Sequence, residues 1–387
     1  MSRGCMKQKN PFFLKEYSID EPYCGRNEEQ KDLGDYAREL KHTVLYSPRR
    51  TGKTALIKRV QKTLSQEGAV CIYVDFFGVV SVDDIAVRLA QAVFAETRSR
   101  ETLFRRAVKA IECFRPITDN NPLQSEKQAD TGVELAQGQV SGMDLLESVL
   151  RSLGKFIYES SELVHFALDE FQEITTLAKA EQIETLLHDH IHRHAAAYTF
   201  IGSRRTVLCR MFTTASRPFF QEAVLVELPG VPAGKMASFI ARQFASQGKI
   251  CDPEIAEQLV SAVSCFPYYC RKLACIVFEY SHNEVTAEDV ENGISLLLMY
   301  EEPFFEGVFL GLAPGQIALL RAIAREPVKS IFAKDFLRRH RLGSIGGAQG
   351  ARKKMVMLDM IEFRQQKWWI VDPVLEQWLV KNRVHAC

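Results

Sequence analysis

Val44-Leu45-Tyr46-Ser47-Pro48-Arg49-Arg50-Thr51-Gly52-Lys53-Thr54-Ala55-Leu56-Ile57 sets a short apolar run, a loop and the start of a helical pattern end to end. A G-x-x-x-x-G-K-[ST] loop between a strand and a helix wraps phosphates in backbone N–H groups. Its lysine reaches the terminal phosphates and its hydroxyl meets Mg²⁺. Gly52, Lys53 and Thr54 keep the half of the pattern that carries charge and metal ligand, while Ser47 replaces the first glycine. Ser47 through Ala55 are therefore the expected nucleotide-binding residues, with Thr54 on the metal. The competing reading is a basic loop capped by Thr and followed by an ordinary helix.

A second constellation lies downstream. Leu163-Val164-His165-Phe166-Ala167-Leu168 is mostly apolar and ends in Asp169-Glu170, as a buried parallel strand would if it delivered two carboxylates to its C-terminal edge. Asp169 is expected to hold the metal, directly or through water. Glu170 is expected to orient and deprotonate the attacking water, because phosphoryl transfer rests on positioning and charge stabilisation. An acidic pair opening the next helix is the alternative.

With these motifs the chain resembles the AAA+/STAND branch of P-loop ATPases, and within it the archaeal-type ATPase family whose relatives include origin-recognition proteins. Tyr23-Cys24-Gly25-Arg26-Asn27-Glu28-Glu29 is similar to the G-R-x-x-E box ahead of the first core strand, which adds Gly25 and Arg26 to the nucleotide-binding set. Phe200-Ile201-Gly202-Ser203-Arg204 is similar to the strand end that carries the polar sensor, with Ser203 at the matching position. The resemblance implies ATP and Mg²⁺ as cofactors. It also implies catalytic parts for Arg217, as an arginine reaching a neighbouring subunit's γ-phosphate, and for Arg271, as the second sensor of a helical lid. Arg217 precedes Pro218, so it can instead pin a loop. Arg271 can instead be a solvated helix-face charge.

The chain has 387 residues, 47% of them hydrophobic, and a formal net charge of +1, which suits two or three domains with a core in each. No apolar stretch approaches a spanning length and the first ten residues lack a signal-peptide core, so no membrane association and a cytoplasmic location are expected. None of the ten cysteines forms a C-x-x-C pair, and they read as reduced core residues. His188-Asp189-His190-Ile191-His192-Arg193-His194 contains two i, i+4 histidine pairs on an expected helix. No third metal ligand is evident there, so the cluster reads as a polar helix end.

Apolar runs at 44–46, 69–75, 163–168, 197–201 and 223–228 alternate with helical patterns. The expected fold is α/β, a parallel sheet with helices on both faces, over residues 1–228. Residues 115–142 are polar and rich in Pro and Gly, and read as a mobile surface loop. Four helical patterns over 229–303 resemble an AAA+ lid. In 304–387, helices near 313–324, 330–340 and 347–359 precede a hairpin over 361–372, an arrangement that resembles a winged helix. Between Arg325 and Lys367 eleven basic residues face four acidic ones, and Arg352, Lys353 and Lys354 are the expected contacts to double-stranded DNA. Trp368 and Trp369, adjacent on the hairpin, are expected to split between core and surface. Two functions fit: an ATP-hydrolysing, DNA-associated ATPase binding ATP and ADP as a homo-oligomer or with a partner protein, or a STAND-type signalling switch whose winged helix docks protein.

Overall fold

The computed structural model describes residues 9–12, 24–117, 132–136 and 141–381. They form two compact units. One comprises Asn27–Ser47 and Lys53–Leu228; the other comprises Pro48–Gly52, everything from Pro229 onward and the described residues before Asn27.

The first unit begins with α1 (Asn27–Arg38), β1 (Thr43–Tyr46), α2 (Lys53–Gln66), β2 (Val70–Asp75), α3 (Val82–Thr97) and α4 (Glu101–Ala110). It continues with β3 (Phe114–Pro116), β4 (Val133–Leu135), α5 (Met143–Glu159), β5 (Val164–Asp169) and a 3₁₀ helix (Phe171–Thr176). It closes with α6 (Ala180–Ile191), β6 (Ala197–Gly202), α7 (Arg205–Thr213) and β7 (Val224–Glu227). Five parallel strands lie in the order β2-β5-β6-β1-β7, so all five expected strands are present. Strand alternation divides the core. Val44, Ile72, Phe166 and Phe200 pack with α3 and α5 on one face, whereas Leu45, Cys71, Ala167 and Ile201 pack with α1 and α2 on the other. β1 lies between β6 and β7, where the strand order reverses, so the loop that follows it leaves the sheet at the usual place for a ligand.

A polar chain runs through this core. Thr43 Oγ1 is 2.9 Å from Thr199 Oγ1, which is 3.0 Å from His165 Nε2, and Gln61 Nε2 donates to His165 Nδ1 at 3.2 Å. The Gln61 amide fixes the proton on Nε2, and burial lowers the His165 pKa to about 4. All four side chains are thereby satisfied inside the sheet.

The segment expected as a loop over 115–142 contains a short ladder. Phe114–Pro116 and Val133–Leu135 pair antiparallel as β3 and β4, a ladder too short to leave a sequence pattern. Residues 118–131 and 137–140 lie outside the described residues.

The second unit contains α8 (Ala233–Ser246), α9 (Pro253–Ala262), α10 (Pro267–Tyr280), α11 (Ala287–Leu310), α12 (Pro314–Arg325), α13 (Lys334–Arg339), α14 (Ile345–Met357), β8 (Ile361–Arg364), β9 (Lys367–Ile370) and α15 (Pro373–Lys381). Proline opens α9, α10 and α12, where its missing N–H costs nothing. Thr286 and Asp289 form a capping box at the start of α11. That helix does not stop near residue 300: it continues through Pro303 to Leu310, so the expected boundary at 303/304 falls inside it. One apolar core extends from Phe12 through α8–α10 to Leu379. The hairpin is present, and Trp368 N–H donates to Val328 O at 2.8 Å, adding a bridge beside it. Trp368 and Trp369 are both half-buried, yet they differ as expected: Trp368 packs against the apolar core with Arg352 over its ring, whereas Trp369 lies under Arg364 and its indole N–H donates to Arg364 O at 3.2 Å.

Candidate functional site

The C-terminal ends of β1, β5 and β6 set the site. Lys53 begins α2 and is buried, and its Nζ donates to Ser47 O at 2.9 Å. Ser47 is buried, and its φ is not among the positive ones, so serine is tolerated where the usual pattern has glycine. Gly52 has φ +97, and a Cβ there would meet nothing within 4 Å. The backbone at Gly52 is thus open to close approach by a phosphate.

Thr54, in the first turn of α2, donates from Oγ1 to Asp169 Oδ2 at 2.7 Å. Tyr73 OH donates to the same oxygen at 2.6 Å, and Asp169 Oδ1 accepts the Glu170 N–H at 2.9 Å. Burial first, and then the Asp169 charge, raise the Tyr73 pKa, so this phenol stays protonated as a donor. Thr54 and Asp169 supply neighbouring oxygen donors, the type of set that Mg²⁺ takes.

Glu170 adopts a left-handed conformation, φ 49 and ψ 39. Such strain in a non-glycine residue persists only where the surroundings hold it. The holders are neutral: Ser203 Oγ lies 3.0 Å from both carboxylate oxygens and donates to them, and Gln172 Nε2 donates to Oε2. Gln172 Oε1 is buried and has no hydrogen-bond partner among the described residues. Gly202 makes room for it, since a Cβ there would lie 1.9 Å from that oxygen. Asp75 ends β2 opposite Asp169, and its pKa is raised by burial and by the nearby Asp169 and Glu170 charges.

Sequence reasoning thus named Lys53, Thr54, Asp169, Glu170 and Ser203, which the structure gathers in one unit, and missed Tyr73, Gln172 and Asp75. Tyr73 and Asp75 had a signal: they alternate at the end of the strand before the Asp169 strand. Gln172 had none.

Arg217 points elsewhere. Its Nε donates to Glu184 Oε1 at 3.0 Å and its Nη2 donates to Oε2, with Glu184 buried on α6. Burial raises the Glu184 pKa and the Arg217 charge opposes that rise. The arginine therefore fastens its segment to α6, through a carboxylate instead of backbone carbonyls.

In the second unit, Gly25 and Arg26 both have positive φ, and Arg26 is buried. Thr51 Oγ1 closes a turn onto Pro48 O at 2.8 Å, and Arg49 is exposed. Arg50 does not remain in the loop. Its Nη1 donates to Tyr269 OH at 2.5 Å and to Glu301 Oε2 at 2.9 Å, and its guanidinium lies 4.5 Å from the Tyr268 ring centroid. Glu301 has 0% side-chain exposure and also accepts from Lys272 Nζ at 2.5 Å. Tyr269 OH passes its proton side to Asp372 Oδ2 at 2.6 Å, while Asp372 Oδ1 caps α15 through the N–H groups of Val374 and Leu375. Arg271 lies in the first turns of α10 and is half-buried.

Comparison with solved structures places this arrangement. The Walker-type ATPase of Pyrococcus abyssi is similar at a TM-score of 0.70 and 16% identity, over 96% of this chain and 99% of that one. The ORC2 protein of Aeropyrum pernix, solved as ADPNP–ADP complexes, is similar at 0.60 and 15%, over 97% of both chains. The ORC1 protein of the same organism, solved in complex with DNA, gives 0.54 and 14%, again over 97% of both. The chain has an ORC-like AAA+ fold. Residues 303–381 of the chain match the family model described as "Probable winged helix domain". No curated protein matches its sequence. Among the described residues no helix is long and apolar enough to cross a membrane.

On the winged helix, α14 starts at Ile345 with Ser344 as its cap and ends at Met357. Lys353 and Lys354 are exposed, but Arg352 lies over the Phe332 ring at 5.0 Å and the Trp368 ring at 5.7 Å. The third basic residue of the expected DNA contact is therefore also packing the module.

Proposed function

We propose that the chain binds ATP with Mg²⁺ through Ser47–Ala55, with Gly25 and Arg26 assisting, and hydrolyses it to ADP. The observation that carries this reading is the pair of contacts at one sheet edge: Thr54 Oγ1 on Asp169 Oδ2 at 2.7 Å, beside a Glu170 held by Ser203 at 3.0 Å. Thr54 and Asp169 would hold the Mg²⁺, which when bound neutralises charge on the phosphates. Lys53 leaves the Ser47 carbonyl for the terminal phosphates. Glu170 accepts the proton of the attacking water, with Ser203 and Gln172 fixing its orientation. Arg271 serves as a second sensor in the lid. A finger role for Arg217 in a homo-oligomer requires it to leave Glu184. On this reading residues 1–228, 229–303 and 304–387 act as ATPase, lid and winged-helix domains.

Lys53→Ala is expected to abolish tight nucleotide binding, whereas Glu170→Gln keeps binding and lowers turnover by about 10²-fold or more. Equilibrium binding of a fluorescent ATP analogue and phosphate release measure the two effects. Unchanged turnover in Glu170→Gln removes it as the base.

Lys353 and Lys354 support DNA association through α14 in this reading. A second reading, a nucleotide-controlled signalling switch whose winged helix docks a protein, is favoured by two features: Arg352 is already held by aromatic rings, and Ile345, Met357 and Phe363 are exposed nearby. Titration with duplex DNA separates them. Affinity that falls with salt and with Lys353→Glu/Lys354→Glu supports DNA.

A further inference from the structure

The C-terminal end of α6 carries chemistry that the phosphate site does not use. His188 and His192 lie one turn apart with ring centroids 5.8 Å from each other and planes 24° apart. The segment leading into β7 brings a carboxylate to both. His192 Nδ1 is 3.3 Å from Glu222 Oε2, and His188 Nε2 is 3.9 Å from Glu222 Oε1. One ligand atom from each of the three residues lies within 4.8 Å of the others.

We propose that His188, His192 and Glu222 form a site for a divalent transition-metal ion, with Zn²⁺ the matching cation. Bonds of about 2.0–2.2 Å in tetrahedral geometry set ligand atoms roughly 3.3 Å apart. One pair already has that spacing, and partly exposed side chains can close the rest by small rotations. Two imidazoles and one carboxylate favour Zn²⁺ over Mg²⁺ or Ca²⁺, which take oxygen sets.

The surroundings are those of a ligand. His188 Nδ1 lies 3.2 Å from Asp189 Oδ1, so its proton is held there and the Nε2 lone pair faces Glu222. A carboxylate on the far nitrogen is the outer-shell partner that fixes a metal-bound histidine. Phe219 meets the same ring edge-on, 5.4 Å away at 89°, and limits its rotation. His42 also faces this group, where its charge would interact with those of Glu222 and His192, but its Nδ1 accepts the Tyr198 N–H at 3.3 Å.

The other histidine pair is different. His194 Nδ1 is 2.6 Å from Tyr198 OH and its Nε2 is 3.2 Å from Leu150 O. Both of its nitrogens serve the fold, which leaves His188 and His192 as the ligating pair. Three ligands leave a fourth position to water. A bound ion would tie Glu222 to α6 one turn beyond the point where Arg217 grips Glu184, so the segment between α7 and β7 would be held at two places.

Tag-free, chelator-treated full-length protein is titrated with Zn²⁺ by calorimetry and with Co²⁺ by absorbance, without nucleotide. The expected result is one saturable Zn²⁺ per chain, a higher melting temperature with Zn²⁺, and visible Co²⁺ bands without a thiolate charge-transfer band. His192→Ala and Glu222→Ala should each weaken Zn²⁺ binding at least about 10-fold and abolish the thermal shift, while His190→Ala binds as wild type. His192 is exposed, so its variant keeps its fold, verified by circular dichroism, and decides the matter if Glu222→Ala does not. Absence of saturable binding, unchanged affinity in folded His192→Ala, or a Co²⁺–thiolate band overturns the site.

Discussion

Glu170 and Glu301 are carboxylates drawn into hydrogen-bond networks, one in each unit, and they are held by opposite means. Glu170 sits in a strained left-handed residue at a sheet edge and is gripped by a hydroxyl and an amide. Glu301 sits inside a regular helix, wholly buried, between the cations of Arg50 and Lys272. Neutral partners orient a carboxylate without pairing its charge. Counter-charges around a buried carboxylate pair it and commit it to the fold. On the proposed function, the difference separates a group placed for chemistry from one placed for architecture.

The largest effect that tests this contrast is on stability. Glu301→Ala leaves Arg50 and Lys272 facing each other without their carboxylate, and it should cost about 3–5 kcal/mol in denaturant unfolding. Glu170→Gln should change stability by no more than about 1 kcal/mol, because its partners are neutral. Equal losses in the two variants would break the comparison.

A smaller effect sharpens it. His165 is buried like Glu301 but has only neutral partners, Gln61 and Thr199. It therefore stays uncharged, with a pKa lowered from 6.5 to about 4 by burial. The unfolded chain takes up this proton below pH 6.5 and the folded chain does so only near pH 4. The stability contribution is complete above pH 6.5 and is lost as pH falls to about 4, a change of roughly 3 kcal/mol. Urea midpoints at pH 7 and pH 4.5 measure it. His194, also lowered to about 4, adds to the same slope. His165→Gln should reduce the pH-dependent difference; an unchanged slope assigns it to other groups.

The smallest effect concerns Arg352. Removing its guanidinium from Phe332 and Trp368 in Arg352→Ala should cost about 0.5–1 kcal/mol of stability. Thermal unfolding measures this, and Lys353→Ala should show no comparable loss.

What the sequence revealed follows from how local each feature is. Gly52-Lys53-Thr54 and Asp169-Glu170 are contiguous, and five apolar runs announce five strands, so the sheet and the candidate residues at its C-terminal edge were readable. Tyr269, Glu301 and Asp372 meet Arg50 only after folding, and no spacing announces that. Glu222 reaches His188 and His192 in the same way, so no third ligand was visible in the histidine run. The boundary expected at 303/304 falls at Pro303, yet α11 continues through that proline. The short α15 was missed although Asp372 and Pro373, a capping residue followed by proline, mark its start.

The continuity of α11 has a mechanical consequence. Its 24 residues make a rod of about 36 Å that packs against α9, α10 and α15 and enters the winged-helix match at residue 303. A tilt of roughly 10° at one end would sweep the far end of a 36 Å rod through about 6 Å, comparable to one helical turn. A lever of this kind needs no hinge where the winged-helix match begins, and Pro303 is the place along it where bending stiffness is lowest.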